Sequence, residues 1–169
     1  MKKLVIIING TGGAGKDTLC EFAETAYAVK NISSITPIKE IAAQNGWNGE
    51  KDAKSRKFLA DLKQLFTDYN ELPFRYLMKE YDAFREGTDE ILFVHIREPE
   101  EIEKFKKAVP GACVTLLVRR DTGAEQWGNE SDDNVEKYQY DYYYDNNKEL
   151  EETGKEFVLF LKRMLEEQA

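Results

Sequence analysis

Histidine and cysteine are scarce in this chain of 169 residues, and each shortage excludes a kind of chemistry. With one histidine, His95, a histidine-rich metal site is impossible, and no sequence pattern places a Ser or Cys nucleophile in a catalytic arrangement with it. The two cysteines, Cys20 and Cys113, are far apart in sequence and lack metal-ligand spacing. We therefore expect both to be small, reduced core residues and expect no disulfide.

Long apolar runs and excess positive charge are also absent. The N-terminal apolar run, 4–8, is shorter than a signal-peptide core or a membrane span, so we expect a cytoplasmic protein with no membrane partner. The formal net charge of −8 at pH 7 argues against a nucleic-acid partner, because phosphate groups attract basic surfaces. The length predicts one domain over 1–169. We expect a monomer or a homodimer.

An apolar strand that runs directly into a glycine-rich turn opens the chain. Backbone without Cβ atoms can direct successive N–H groups at a polyphosphate, and the helix that follows presents its positive end to the same anion. We therefore predict a nucleotide-phosphate site; the alternative is a strand-to-helix turn without a ligand. The predicted site comprises Gly10, Gly12, Gly13, Ala14, Gly15, Lys16, Asp17 and Thr18.

Asp17 stands where such loops usually carry a Ser or Thr hydroxyl that binds Mg²⁺. Thr18 keeps a hydroxyl one residue later. Any metal is expected to be Mg²⁺ that binds with the nucleotide, held by oxygen ligands such as Asp17 and water.

Apolar runs alternate with helical patterns along the chain, which predicts an α/β fold: a parallel sheet covered by helices. The predicted strands are 3–9, 31–35, 90–96, 112–118 and 140–144. The predicted helices are 18–29, 52–69 and 72–85, one marked by 102–109 and a closing one marked by 157–165. Two polar segments, 45–50 and 121–133, are predicted loops, and the second is either a lid or a solvated surface loop.

Three of the seven arginines follow predicted strands: Arg97 follows the third, and Arg119 and Arg120 follow the fourth. The carboxyl ends of parallel strands share the sheet edge where open α/β folds bind ligands, so these three are predicted to converge on the site. Arg56 lies early in the helix 52–69, where it either reaches an acceptor phosphate or remains a solvated helix residue. Arg97 could instead pair with a neighbouring glutamate.

Two aromatic features have a structural and a functional interpretation. His95 ends a buried strand, where a lone histidine is more often a hydrogen-bonded structural residue than a catalyst. The tyrosines between 138 and 144 are explained by core and edge-strand packing, and base stacking is the second interpretation.

Taken together, these motifs resemble the nucleoside monophosphate kinase group of P-loop proteins, and within it the branch of phage-type deoxynucleoside monophosphate kinases and animal-type phosphomevalonate kinases. The residues 15–18 are similar to the Gly-Lys-Asp variant loop of that branch. The segment 35–41 is similar to the one that opens the acceptor site. His95-Ile96-Arg97 resembles the Asp-Val-Arg end of the third strand, with histidine in place of the acidic residue.

The resemblance implies a five-stranded sheet in the order 2-3-1-4-5, an acceptor-binding helical insert at about 37–87 and a lid at about 119–136. It implies that Arg97 holds the acceptor phosphate and that Arg119 and Arg120 act on the transferring phosphoryl group. Asn146, just after the fifth strand, would lie beside the adenine of ATP. Within the predicted lid, 121–136 contains no Arg or Lys.

The sequence thus predicts phosphoryl transfer from ATP, with Mg²⁺, to a small monophosphorylated acceptor, foremost a nucleoside or deoxynucleoside monophosphate. Arg56 and Arg97 would bind the acceptor; the predicted catalytic residues are Lys16, Arg97, Arg119 and Arg120. Two alternatives are a kinase of another phosphorylated metabolite, such as dephospho-coenzyme A or phosphomevalonate, and a nucleotide sensor without turnover. The arginines disfavour the sensor, because binding alone needs no acceptor-side arginines.

Overall fold

One parallel sheet of five strands organises the chain, and the computed structural model describes residues 2–11, 13–120 and 135–168. The strands are β1 (Leu4–Gly10), β2 (Val29–Ser33), β3 (Ile91–His95), β4 (Cys113–Arg119) and β5 (Tyr142–Asp145). Their order is β2-β3-β1-β4-β5, and every neighbouring pair is parallel. The predicted sheet and its order are confirmed.

Six described helices accompany the sheet. They are α1 (Lys16–Ala23), α2 (Thr36–Gln44), α3 (Ala53–Asn70), α4 (Leu72–Glu86), α5 (Pro99–Ala108) and α6 (Leu150–Glu167). Within the described ranges, no helix combines the length and the apolar character that a membrane crossing requires.

Helices cover both faces of the sheet because successive strand side chains point to opposite sides. All seven residues of β1 are buried: Leu4, Ile6 and Ile8 pack with α1 and α6, whereas Val5 and Ile7 pack with α4 and α5. A strand buried on both faces reads as a continuous apolar run, which is the pattern of β1.

The strand register brings all the carboxyl ends to one edge of the sheet, here called the carboxyl edge. Gly10 of β1 lies opposite Val118 of β4, and Ile8 lies opposite His95 at the end of β3. His95 is also paired with Ser33 at the end of β2, and Arg119 with Asp145 at the end of β5. The segments that follow these strands therefore all begin at the carboxyl edge.

The first predicted helix, 18–29, is wrong in its extent. Helix α1 starts two residues earlier and ends at Ala23, where Thr25 and Ala26 donate backbone hydrogen bonds to Phe22 and Ala23 in a turn. Val29 begins β2 instead, paired with Ile91. Its neighbour Tyr27 packs against the same core as α1, which explains why the apolar spacing suggested a longer helix.

The remaining boundaries differ from prediction by small shifts with local causes. Strand β2 is two residues earlier than predicted because α2, which periodicity did not predict, begins at Thr36 with Pro37 in its first turn. Asp52 caps α3, its Oδ1 accepting from the Ser55 N–H at 2.8 Å. Strand β5 starts at Tyr142, since Tyr140 buries its ring in the core that lies under α4 and α5.

Candidate functional site

The glycine-rich turn lies at the carboxyl edge between β1 and α1. The Ala14 N–H donates to the Thr11 carbonyl at 3.0 Å, and both Gly13 and Gly15 have positive φ angles, 79° and 83°. A Cβ atom on Gly15 would lie 2.6 Å from Nδ2 of Asn146, so only glycine fits there. Gly12, also predicted in this site, lies outside the described residues. In its described residues, the turn has backbone features that suit phosphate binding at a helix N-terminus.

Asn146 supports this turn from the other side. Its Nδ2 donates to the Ala14 carbonyl at 2.8 Å, its backbone N–H donates to the Arg119 carbonyl at 2.6 Å, and the residue is 8% exposed. These bonds tie the ends of β4 and β5 to the glycine-rich turn. A position beside a bound adenine stays a prediction, while the contact with the turn is observed.

Asn9 forms a second buried connection, which sequence reasoning missed. Its Nδ2 donates to the Arg97 carbonyl and to the Tyr140 hydroxyl, both at 3.0 Å, and its Oδ1 accepts from the Gly10 N–H at 2.9 Å. Tyr140 in turn donates to the Val135 carbonyl at 2.8 Å. Burial raises the pKa of Tyr140 to about 12, so its hydroxyl keeps the proton it donates.

Lys16 stands among other cations. Burial chiefly lowers its pKa, the charges of Arg97 and Lys39 lower it further, and the carboxylate of Asp17 acts in the opposite direction. Lys39, in the second turn of α2, was not among the predicted site residues. Because these cations outnumber the single carboxylate, they repel one another, and a bound anion would reduce that repulsion.

Arg97 and Arg56, the residues predicted to bind the acceptor, occupy different elements. Arg97 is exposed just beyond the end of β3, and its carbonyl is held by Asn9. Arg56 is exposed on α3, two turns before Lys63 and therefore on the same face. Lys63 Nζ lies 2.9 Å from Oε2 of Glu101, in the first turn of α5. That ion pair places the face of α3 that carries Lys63 and Arg56 beside the first turn of α5, the helix that follows β3.

Arg119 is engaged at the base of the predicted lid. Its Nη2 lies 3.1 Å from Oε2 of Glu136, and its guanidinium carbon lies 4.5 Å from the centre of the Tyr143 ring. Arg120 is exposed next to it. Apart from 119–120 and 135–136, the predicted lid 119–136 lies outside the described residues.

His95 lies beside Lys16 and forms one observed hydrogen bond. Its Nε2 is 3.0 Å from Oδ1 of Asn31; because an amide oxygen only accepts, this ring nitrogen donates. Burial, and next the charge of Lys16, lowers the pKa of His95 to about 4. The imidazole is therefore neutral at pH 7, without the charge that an acidic residue would bring.

The donor set near the turn fits a magnesium ion bound mainly through phosphate. In the described part of the chain, no group of three or more His, Cys, Asp or Glu side chains is arranged to hold a metal. Asp17 is exposed in the first turn of α1 and Thr18 is half-buried, so both offer oxygen atoms at the cradle. Mg²⁺ often takes one or two protein oxygens and fills its shell with phosphates and water.

Comparison with known proteins agrees with this fold. The sequence matches no protein-family model and no curated protein. A shikimate kinase from Bacteroides thetaiotaomicron is 17% identical, with a TM-score of 0.53 over 94% of this chain and 98% of that one. A shikimate kinase from Aquifex aeolicus is 15% identical, with a TM-score of 0.52 over 95% and 97%.

A gluconokinase from Sinorhizobium meliloti is similar to the same extent, with 14% identity and a TM-score of 0.51 over 98% of this chain and 94% of that one. All three comparisons cover nearly the whole of both chains. The chain therefore has the fold of the P-loop kinases, a five-stranded parallel sheet between two helical layers. At these identities the likeness concerns the fold.

Proposed function

We propose that this protein is a cytoplasmic P-loop kinase that transfers the terminal phosphoryl group of ATP to a small monophosphorylated acceptor, with nucleoside and deoxynucleoside monophosphates as the first candidates. The observation that carries the proposal is the placement of Lys16, Lys39 and Arg97 just beyond the carboxyl ends of the adjacent parallel strands β1, β2 and β3, where their charges act on one another. The glycine-rich turn and Lys16 can bind the triphosphate of ATP. Lys39 and Arg97 lie on other elements and are suited to bind a second phosphate group, that of the acceptor.

The donor side is assigned to the turn and the start of α1. The N–H groups of Gly13, Gly15 and Lys16 and the Lys16 ammonium would bind the phosphates, and Asp17 with Thr18 would offer oxygen atoms to the metal that accompanies them. When bound, ATP supplies the phosphoryl group and Mg²⁺ neutralises part of its charge. Asn146 keeps the turn in the conformation that binds.

The acceptor side is assigned to the helical insert, 37–87, and to Arg97. Arg97 and Lys39 approach the phosphate cradle from β3 and α2, and Arg56 faces the same edge from α3. These three cations bind the acceptor phosphate and place one of its oxygens toward the donor. Arg119 and Arg120 stabilise the charge on the transferring group, which requires Arg119 to exchange Glu136 for phosphate.

Neutral His95 is compatible with a phosphate acceptor. A phosphate monoester is largely ionised at pH 7, so its oxygen attacks without a general base. His95 donates to Asn31 and keeps its strand end in place, which is a positioning role. An alcohol acceptor would instead have to lose a proton during transfer.

The experiment is a coupled ADP-release assay with ATP and Mg²⁺ across the common nucleoside and deoxynucleoside monophosphates. Further arms contain dephospho-coenzyme A, phosphomevalonate, shikimate and gluconate, and the Lys16→Ala protein measures background. Stimulated release with one nucleoside monophosphate is expected. Release with dephospho-coenzyme A or phosphomevalonate would support transfer and replace the acceptor, whereas release with an alcohol alone, or with nothing, would contradict the proposal.

A further inference from the structure

Helix α3 carries an apolar surface that is exposed in the described part of the chain. Phe58, Leu65 and Tyr69 are 41%, 66% and 83% exposed, and they account for three of the six large exposed hydrophobic residues in the described ranges. Within this fully described helix only Ser55 is buried. The three residues are here called the α3 stripe.

The α3 stripe lies on the side of the helix away from the carboxyl edge. At about 100° per residue, Leu65 and Phe58 lie within a narrow arc, and Lys63, which bonds Glu101, lies on the opposite side. Arg56 shares the Lys63 side. The stripe therefore does not face the acceptor site, and acceptor binding does not explain its exposed apolar area.

Charges beside the stripe divide along the helix. On one flank Lys54 and Lys57 lie toward the N-terminus of the helix, Asp61 lies near its middle and Asp68 lies toward its C-terminus, and all four are exposed. Two such helices packed antiparallel about a two-fold axis bring the same flanks together, so the basic N-terminal end of one flank faces the acidic C-terminal end of the other. In parallel packing about a two-fold axis, this flank faces the opposite flank of the partner helix, and these charges do not meet.

We propose that the α3 stripe is a homodimer interface, in which the α3 helices of two copies pack antiparallel with Lys57 of each near Asp68 of the other. The three apolar side chains expose roughly 400 Å² per copy. With the stems of the flanking charged residues, the contact approaches the ~1,200 Å² total of small specific interfaces. The dimer is accordingly weak, and it is independent of the proposed enzymatic activity.

Sedimentation velocity over a range from about 1 to 200 µM of the full chain tests the proposal. A concentration-dependent shift from monomer to dimer is expected, and Leu65→Asp should abolish it. The matched control is Leu159→Asp, which changes a leucine 60% exposed on α6 and should leave the dimer intact. A wild-type chain that is monomeric throughout, or a Leu65→Asp protein that dimerises equally well, would overturn the interface.

Charge reversal tests the antiparallel geometry. Lys57→Glu and Asp68→Lys should each raise the dimer dissociation constant about tenfold, and the double variant should return to near the wild-type value. Because Lys57 Nζ also pairs with Asp61 Oδ2 at 2.5 Å in its own helix, thermal unfolding is measured for each variant to separate lost folding from lost association. Failure of the double variant to recover dimerisation would exclude the antiparallel arrangement.

Discussion

The proposed donor and acceptor sides of the site are built in different ways. On the donor side, Asn9 and Asn146 are buried and bond the turn, two neighbouring strand ends and Tyr140. On the acceptor side, Lys39, Arg56 and Arg97 are exposed, and α3 contributes only Ser55 to the buried residues.

This contrast has a physical reason. A buried amide must be hydrogen-bonded, so folding itself sets the geometry of the donor cradle. Exposed cations can be reached by an anion from solution, so a ligand can bind them without disturbing the core. We therefore expect donor-side changes to affect both stability and nucleotide binding, and acceptor-side changes to affect substrate use alone.

The largest effect is expected from Lys16→Ala. Removing the cation nearest the cradle should lower kcat about 10³-fold and weaken binding of a non-hydrolysable ATP analogue, as measured by ADP release and calorimetry. Lys39→Ala removes a cation of the proposed acceptor side as a control, and it should leave the affinity for the ATP analogue unchanged. Unaltered analogue affinity in the Lys16→Ala protein would mean that the turn is not a phosphate cradle.

Arg97→Ala should separate the two sides. We expect kcat/KM for the acceptor to fall about 10²-fold while the ATP-analogue affinity stays within about twofold, because the lost guanidinium serves the acceptor phosphate. Arg75→Ala removes an exposed arginine of α4 as a control and should change neither quantity. An equal loss of donor and acceptor binding would make Arg97 a donor residue.

Gly15→Ala tests how rigid the donor cradle is. The new Cβ combines an unfavourable φ of 83° with an approach of 2.6 Å to Asn146, so the free energy of unfolding should fall by about 2 kcal/mol in urea titrations. Gly49→Ala has a φ of 91° but open space around it, and should cost about 1 kcal/mol. If Gly15→Ala and Gly49→Ala lowered the free energy of unfolding equally, the contact with Asn146 would add no strain.

The smallest expected effect concerns His95 and pH. Its pKa is about 4 in the folded chain, below its ordinary value, so the unfolded chain binds more protons between these values and stability falls as pH falls. Relative to His95→Gln, the wild type should lose about 1 kcal/mol between pH 7 and pH 5.5, measured by urea unfolding. If the free energy of unfolding had the same pH dependence in the wild type and in His95→Gln, the pKa of His95 would not be lowered by folding.

Much of the fold was predictable because its signals are local. The apolar run of β1, the glycine-rich turn and the helices α4 and α5 follow from spacing within short windows. The end of α1 was not predictable in this way, since Tyr27 packs on the core from a turn and the periodicity does not distinguish that from a helix. Periodicity did not delimit helix α2 within the predicted helical insert, so the place of Lys39 was not predicted.

By itself the sequence determined the parallel sheet, the glycine-rich turn with Lys16, and the strand ends that carry Arg97, Arg119 and Arg120. The tertiary structure alone decided that Asn146 supports the turn, that Asn9 joins β1 to Arg97 and Tyr140, and that the α3 stripe stays uncovered. These features join residues far apart in the chain. The spacing of apolar residues indicates which face of a helix or strand is apolar. Which residues pack or bond against that element depends on how all the elements pack together.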